Sequence, residues 1–130
     1  MMEKTAVNPW TWQDCRGFTQ AWRVDNPTAL VFVSGQAPVD PDGTLVGVGD
    51  FGAQARQTFD NLATVLEGSG ATFGDVVKVT VYLTDMATLA EYTRIKAGYV
   101  QDRQPASTAI AVQALAHPDM MIEVEAVAAL

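Results

Sequence analysis

A change of hydrophobic period at the centre of the chain constrains its fold more than any other feature. From Asp50 to about Glu67, the residues Phe51, Ala55, Phe59, Leu62 and Leu66 recur every three or four positions and form one helical stripe. Beyond it, Val77, Val79, Val81 and Leu83 alternate with Lys78, Thr80, Tyr82 and Thr84, the two-residue period of a strand. A helix with one apolar stripe beside a strand with one apolar face predicts an α+β layer. Asp50 stands where a helix cap is needed, and Gly68 and Gly70 can adopt the positive backbone angle that ends a helix.

The flanking segments extend this pattern. Residues 18–24 and 29–36 read as strands, and Asp25-Asn26-Pro27-Thr28 reverses the chain between them, so a hairpin is expected. Pro38, Pro41 and Asp42-Gly43 interrupt the apolar run, leaving Leu45-Val46 room for a short edge strand. A second helix is expected from near Thr88, where Thr88 and Glu91 have capping-box spacing and Leu89, Tyr92, Ile95 and Tyr99 form an inward stripe. Residues 106–115 and 121–128 read as final strands joined by Ala116-His117-Pro118-Asp119. The order β-β-α-β-α-β-β predicts a mixed β-sheet with two helices packed on one face. The late strands are apolar or small on both faces, so the second face is expected to be buried against copies of the same chain.

With 130 residues the chain holds one domain, 1–130, in which 1–17 is expected to pack as an N-terminal extension. Fifteen acids against eight bases give a net charge of −7, which repels phosphate backbones and anionic headgroups; neither nucleic acid nor membrane is an expected partner. One cysteine, Cys15, cannot form a disulfide within the chain, and with one histidine, His117, the chain is poor in soft metal ligands. Cys15 and His117 also lack local motifs for a thiol nucleophile and its base. No stretch reaches the ~20 apolar residues of a membrane span, and the N-terminus lacks the apolar run of a secretory signal, so a cytoplasmic location is expected.

Gly43, Gly47 and Gly49 have the wrong spacing for a phosphate loop. Trp10, Trp12 and Trp22 read as packing anchors in core or interface, and Arg94 and Lys96 beside Glu91 read as a solvated helix face. Two local features carry candidate chemistry. Glu123 and Glu125 share one face of the last strand, where hydrogen bonds or solvent can satisfy both, or a desolvated Glu123 can act as acid or base. Ser34-Gly35-Gln36 ends an apolar strand with a glycine that either turns the chain or admits a close neighbour.

Four stretches together resemble the RidA (YjgF) family: 31–40 (VFVSGQAPVD), Gln54-Ala55-Arg56-Gln57 with Asp60-Asn61-Leu62, 75–86 (DVVKVTVYLTDM), and Ile122-Glu123-Val124-Glu125-Ala126. The resemblance runs from about Phe18 to the C-terminus. It implies a chorismate-mutase-like α+β fold assembled as a homotrimer, with three ligand clefts between subunits. It also implies cofactor-independent hydrolysis of small reactive enamines and imines, such as 2-aminoacrylate, to 2-oxo acids and ammonia. In that family an arginine holds the substrate carboxylate, while backbone groups and a glutamate guide water and protons.

Ser34, Gly35 and Glu123 match the family's cleft positions. Where active members have Pro-Ala-Arg-Ser, this chain has Pro105-Ala106-Ser107-Thr108, so Ser107 replaces the arginine. Phe18 stands where an aromatic hydroxyl is usual, and Thr93 replaces a helix asparagine bordering the cleft. Losing one charge-assisted, partly buried contact costs on the order of 2 to 5 kcal/mol of anion affinity, which argues against efficient turnover of 2-aminoacrylate. The resemblance thus implies Glu123 as proton relay; Ser34, Gly35, Ser107, Thr108, Phe18 and Thr93 around the ligand; and Arg103 as a candidate substitute clamp. Two readings stay open on sequence: a deaminase-type hydrolase with altered substrate range, or a non-catalytic ligand-binding or chaperone-like trimer. Ribonuclease activity, attached to some relatives, fits poorly with the acidic composition.

Overall fold

The central apolar stripe forms α1 (Phe51–Gly68) in the computed structural model, which describes residues 1–130. The Asp50 side chain accepts from the Ala53 backbone N–H, the cap expected from sequence, and Gly70 closes the helix at φ 76°. The alternating run becomes β4 (Val76–Leu83), followed by α2 (Leu89–Val100). Asp85, rather than a Thr88–Glu91 box, opens the approach to α2: its side chain accepts from the Ala87 N–H, and the Thr88 hydroxyl donates to its carbonyl.

Around these elements lie β1 (Glu3–Val7), β2 (Ala21–Asp25), β3 (Leu30–Gln36), β5 (Ala106–Ala111) and β6 (Ile122–Ala129). One four-stranded sheet has the order β3-β6-β4-β5, with β4 and β5 parallel and the other pairs antiparallel. The expected hairpin does not form. The turn reverses the chain, with Asn26 at φ 53°, but β3 takes β6 as its partner, and β2 pairs with β1 in a separate two-stranded sheet. Turn chemistry fixes a reversal; the choice of partner follows the larger apolar burial that β6 offers. β1 therefore builds part of the expected extension into a sheet.

The two helices cover one face of the four-stranded sheet. Phe59, Leu62 and Leu66 of α1 and Tyr92 and Ile95 of α2 close over Val79, Val81, Leu83, Ile122 and Val124 in one buried cluster. On the opposite face stand Phe32, Lys78, Thr80, Tyr82, Thr108, Ile110, Glu123, Glu125 and Val127, paired across strands as Phe32–Val127, Thr80–Glu125 and Tyr82–Glu123. No element covers them, and Phe32 is 76% exposed. Trp10 and Trp12 are exposed on the single chain and stacked on each other at 6.4 Å, so neither anchors the core; Trp22 is half-buried, its indole N–H donating to the Gln104 carbonyl at 2.9 Å. No helix is long and apolar enough to cross a membrane.

Candidate functional site

The sequence-predicted residues gather in two places on opposite faces of the sheet. On the uncovered face, the β3–β6 register shifts between Val33 and Gln36, so Ser34 and Gly35 bulge out of the ladder. A Cβ on Gly35 would lie 2.7 Å from the Glu123 carboxyl carbon and 2.9 Å from its Oε1. The glycine is there because the carboxylate rests on bare backbone, which answers what its missing side chain admits. Glu125, two residues on, accepts a 2.6 Å hydrogen bond from the Tyr82 hydroxyl, and that bond pushes the phenol up. Glu123 has no ion-pair partner and is half-buried, so its oxygens stay free for a ligand or water. Beside it, Phe32, Ser34, Lys78, Thr80 and Glu125 line an open cleft of ≈ 320 Å³. Thr108 belongs to this face, where its hydroxyl accepts from Lys78 Nζ at 2.7 Å.

Strand alternation turns Ser107 the other way, toward the helices, beside Val79. There it joins Phe18, Thr93, Tyr92, Lys96 and Arg16 around a pocket of ≈ 180 Å³. The chain before β2 reaches this pocket because Thr19 bridges Ala106, its N–H donating to the Pro105 carbonyl at 3.2 Å. Gly17, at φ 72°, presents its carbonyl to Lys96 Nζ at 2.8 Å. Phe18 meets Trp12 edge-on at 5.9 Å, and the Arg16 guanidinium lies over the Trp12 ring at 5.6 Å.

Lys96 corrects the expectation of a solvated helix face. It is 2% exposed, and burial pushes its ammonium down to about 8. Only Arg94 of that pair is solvent-facing, 3.8 Å from Glu91. The signal was present in the spacing: Lys96 follows Leu89 by seven residues and Tyr92 by four, so it lies on the inward stripe. Arg103 sits elsewhere. Its guanidinium lies 5.8 Å over the Trp22 ring, lining a separate hollow with Thr72 and Tyr99. Cys15 is exposed, and His117 Nδ1 accepts from the Asp119 N–H within its own turn.

Two helices on a mixed sheet with a β-bulged edge and an uncovered acidic face define the YjgF class of α+β proteins, and the comparisons agree. The Endoribonuclease L-PSP family profile matches residues 14–130, and the chain belongs to that family, which is the RidA family its motifs indicated. A RutC family protein of Pyrococcus abyssi is 38% identical over 85% of this chain and 84% of its own length. The 2-iminobutanoate/2-iminopropanoate deaminase of Mus musculus is 34% identical over 85% and 79%, and the 3-aminoacrylate deaminase RutC of Acinetobacter baylyi 32% over 85% and 85%. Among solved structures, the Rid-family protein YyfB of Yersinia pestis superposes with a TM-score of 0.88 at 36% identity, over 98% of both chains.

Proposed function

We propose that this chain is a cofactor-independent deaminase-type hydrolase of small reactive imines or enamines, working at clefts between the subunits of a homotrimer. One observation carries the reading. Gly35 and Glu123, with Ser34, lie on the uncovered face of the sheet, while Phe18, Thr93 and Ser107 lie on the helix side. A single chain leaves these as two half-sites. A second copy packed on the bare face brings the first half of one subunit against the second half of its neighbour. Two relatives of this length are named for imine and aminoacrylate deamination, which favours the same chemistry here.

The reaction is R₂C=NH + H₂O → R₂C=O + NH₃, an enamine first being protonated at carbon. The Glu123 carboxylate takes a proton from water as the water oxygen bonds to the imine carbon. It gives that proton to nitrogen, forming the carbinolamine, and then moves the hydroxyl proton to nitrogen as the carbonyl forms, the C–N bond breaks and ammonia leaves. The Ser34, Ser107 and Thr93 hydroxyls orient the ligand. Thr108, across the sheet from Ser107, belongs with the Glu123 half. Ser107 in place of an arginine removes the planar bidentate clamp, so the substrate range differs from that of relatives that keep it.

Freshly generated imines of 2-oxo acids and of uncharged carbonyls are offered to the protein, and ammonia release is followed against buffer. The expected result is acceleration for at least one imine, lowered about 10²- to 10⁴-fold by Glu123→Gln with ligand affinity retained. A compound that binds the cleft and is recovered unchanged, with no imine accelerated, would establish the ligand-binding reading instead. RNA cleavage is disfavoured by the net charge of −7.

A further inference from the structure

The pocket beside Ser107 contains an uncompensated buried cation. Lys96 spends one N–H on the Gly17 carbonyl, and the chain's three ion pairs involve Lys4, Arg23 and Arg94 instead. The charged or titratable groups facing it are Arg16 from the turn before β2 and Tyr92 from its own helix; β5 contributes only Ser107 and Ala109. Within one chain no carboxylate lines the pocket; in the proposed trimer the carboxylate that comes to it is the neighbouring copy's Glu123. Tyr92 is 1% exposed, its ring lies 5.8 Å from Lys96 Nζ, and its hydroxyl has no hydrogen-bond partner. A buried ammonium with donors to spare and the hydroxyl-bearing Thr93 and Ser107 border a partly open volume.

We propose that Lys96 is the anion-binding residue of this pocket, and that the ligand it receives there is a small monocarboxylate. This rests on the reading that the cleft takes a small metabolite, and it names the group that holds the ligand in a chain with no arginine at 107. One chain's share of the cleft, ≈ 180 Å³, is below the roughly 300 to 1,000 Å³ of drug-sized sites and has room for a carboxylate and a few carbons. An ammonium binds as a point charge, so the neighbouring hydroxyls, rather than a guanidinium fork, supply the orientation. A lysine also titrates where an arginine does not. With the free pocket's ammonium at about 8, carboxylate affinity is constant below that pH and falls above it as the cation is lost.

Binding of 2-oxobutanoate and of uncharged 2-butanone is measured by calorimetry between pH 6.5 and 9.5, a readout that needs no turnover. The oxo acid is expected to bind at least about tenfold more tightly than the ketone, its affinity falling towards tenfold per pH unit above about pH 8. Lys96→Met lowers oxo-acid affinity at least about tenfold at pH 7, and Lys96→Arg restores it and flattens the profile across this range. Cys15→Ser, which removes the thiol near the rim, leaves the profile in place. Equal affinity for acid and ketone, a wild-type profile flat to pH 9.5, or undiminished binding by Lys96→Met would each overturn the proposal. If binding behaves as expected and no imine is hydrolysed, the catalytic reading fails while the lysine site stands; hydrolysis with a flat binding profile gives the reverse.

Discussion

Lys96 is held in the interior at a cost to the fold, and the cost has a pH dependence that can be worked out. Burial moves its ammonium from the ordinary 10.5 to about 8, so between those values the unfolded chain binds more protons than the folded one. Stability from this group therefore rises with pH across that window, and below about pH 8 the full penalty of roughly 3 kcal/mol is present. Lys96→Met relieves that penalty but strands the Gly17 carbonyl, which costs about 1 kcal/mol. The net expectation is a gain of about 2 kcal/mol at pH 7, disappearing by about pH 10, in urea unfolding at fixed protein concentration. A variant less stable than wild type at pH 7 would contradict the assignment. A residue whose removal stabilises the fold is one retained for something other than folding. Gly35 is the counterpart on the other face, since any side chain there would displace the Glu123 carboxylate from its seat.

At the scale of elements, α1 is the jig for that seat. Buried Gln54 donates to the Gly47 and Asp119 carbonyls at 3.2 and 2.8 Å and accepts from the Met121 N–H at 2.8 Å, fixing the chain two residues before Glu123. Asn61 donates to the Ala37 and Val39 carbonyls at 2.8 Å each, fixing the chain just beyond Gly35. Gln54→Leu keeps the volume and leaves the Met121 N–H and the Asp119 carbonyl without their side-chain partner, while the Gly47 carbonyl keeps the Asp50 N–H at 2.8 Å, so a loss of about 1 to 3 kcal/mol is expected in thermal or urea melts. A loss below about 0.5 kcal/mol would mean that the loops repack without it. The same elements show what sequence makes legible. α1, β4 and α2 declare themselves because each buries a periodic stripe under its own neighbours. β1 does not, since its five residues carry no apolar alternation and its pairing with β2 is a long-range choice. The bulge at Gly35 was marked by the glycine, but its occupant comes from the far end of the chain. Lys96 was on the inward stripe, and its charge masked the periodicity.

For the whole molecule the decisive feature is the sheet face left bare by two helices that cover only the other side. Phe32, Val127 and Ile110 put apolar surface there, interleaved with Glu123, Glu125 and Lys78, a mixture suited to a specific contact between copies rather than to a dry core. In the trimer we propose, a closed ring repeats one contact around an axis, and each cleft then takes its Glu123 half from one subunit and its Lys96 half from the next. This arrangement has a consequence that a self-contained site lacks. In co-expressed, differently tagged mixtures of Glu123→Gln and Lys96→Met chains, some clefts combine the intact half of each variant. With random assembly each mixed trimer has one wholly native cleft in three, about a quarter of all clefts, so the co-expressed preparation recovers about a quarter of the wild-type ammonia-release rate and the mixed trimers about a third, although each variant alone is impaired. Sedimentation velocity of the same preparations should give a species of three chains, and the rate should return only in the fraction carrying both tags. Recovery absent from that fraction, or a protein that sediments as one chain while remaining active, would place both halves of the chemistry within a single subunit.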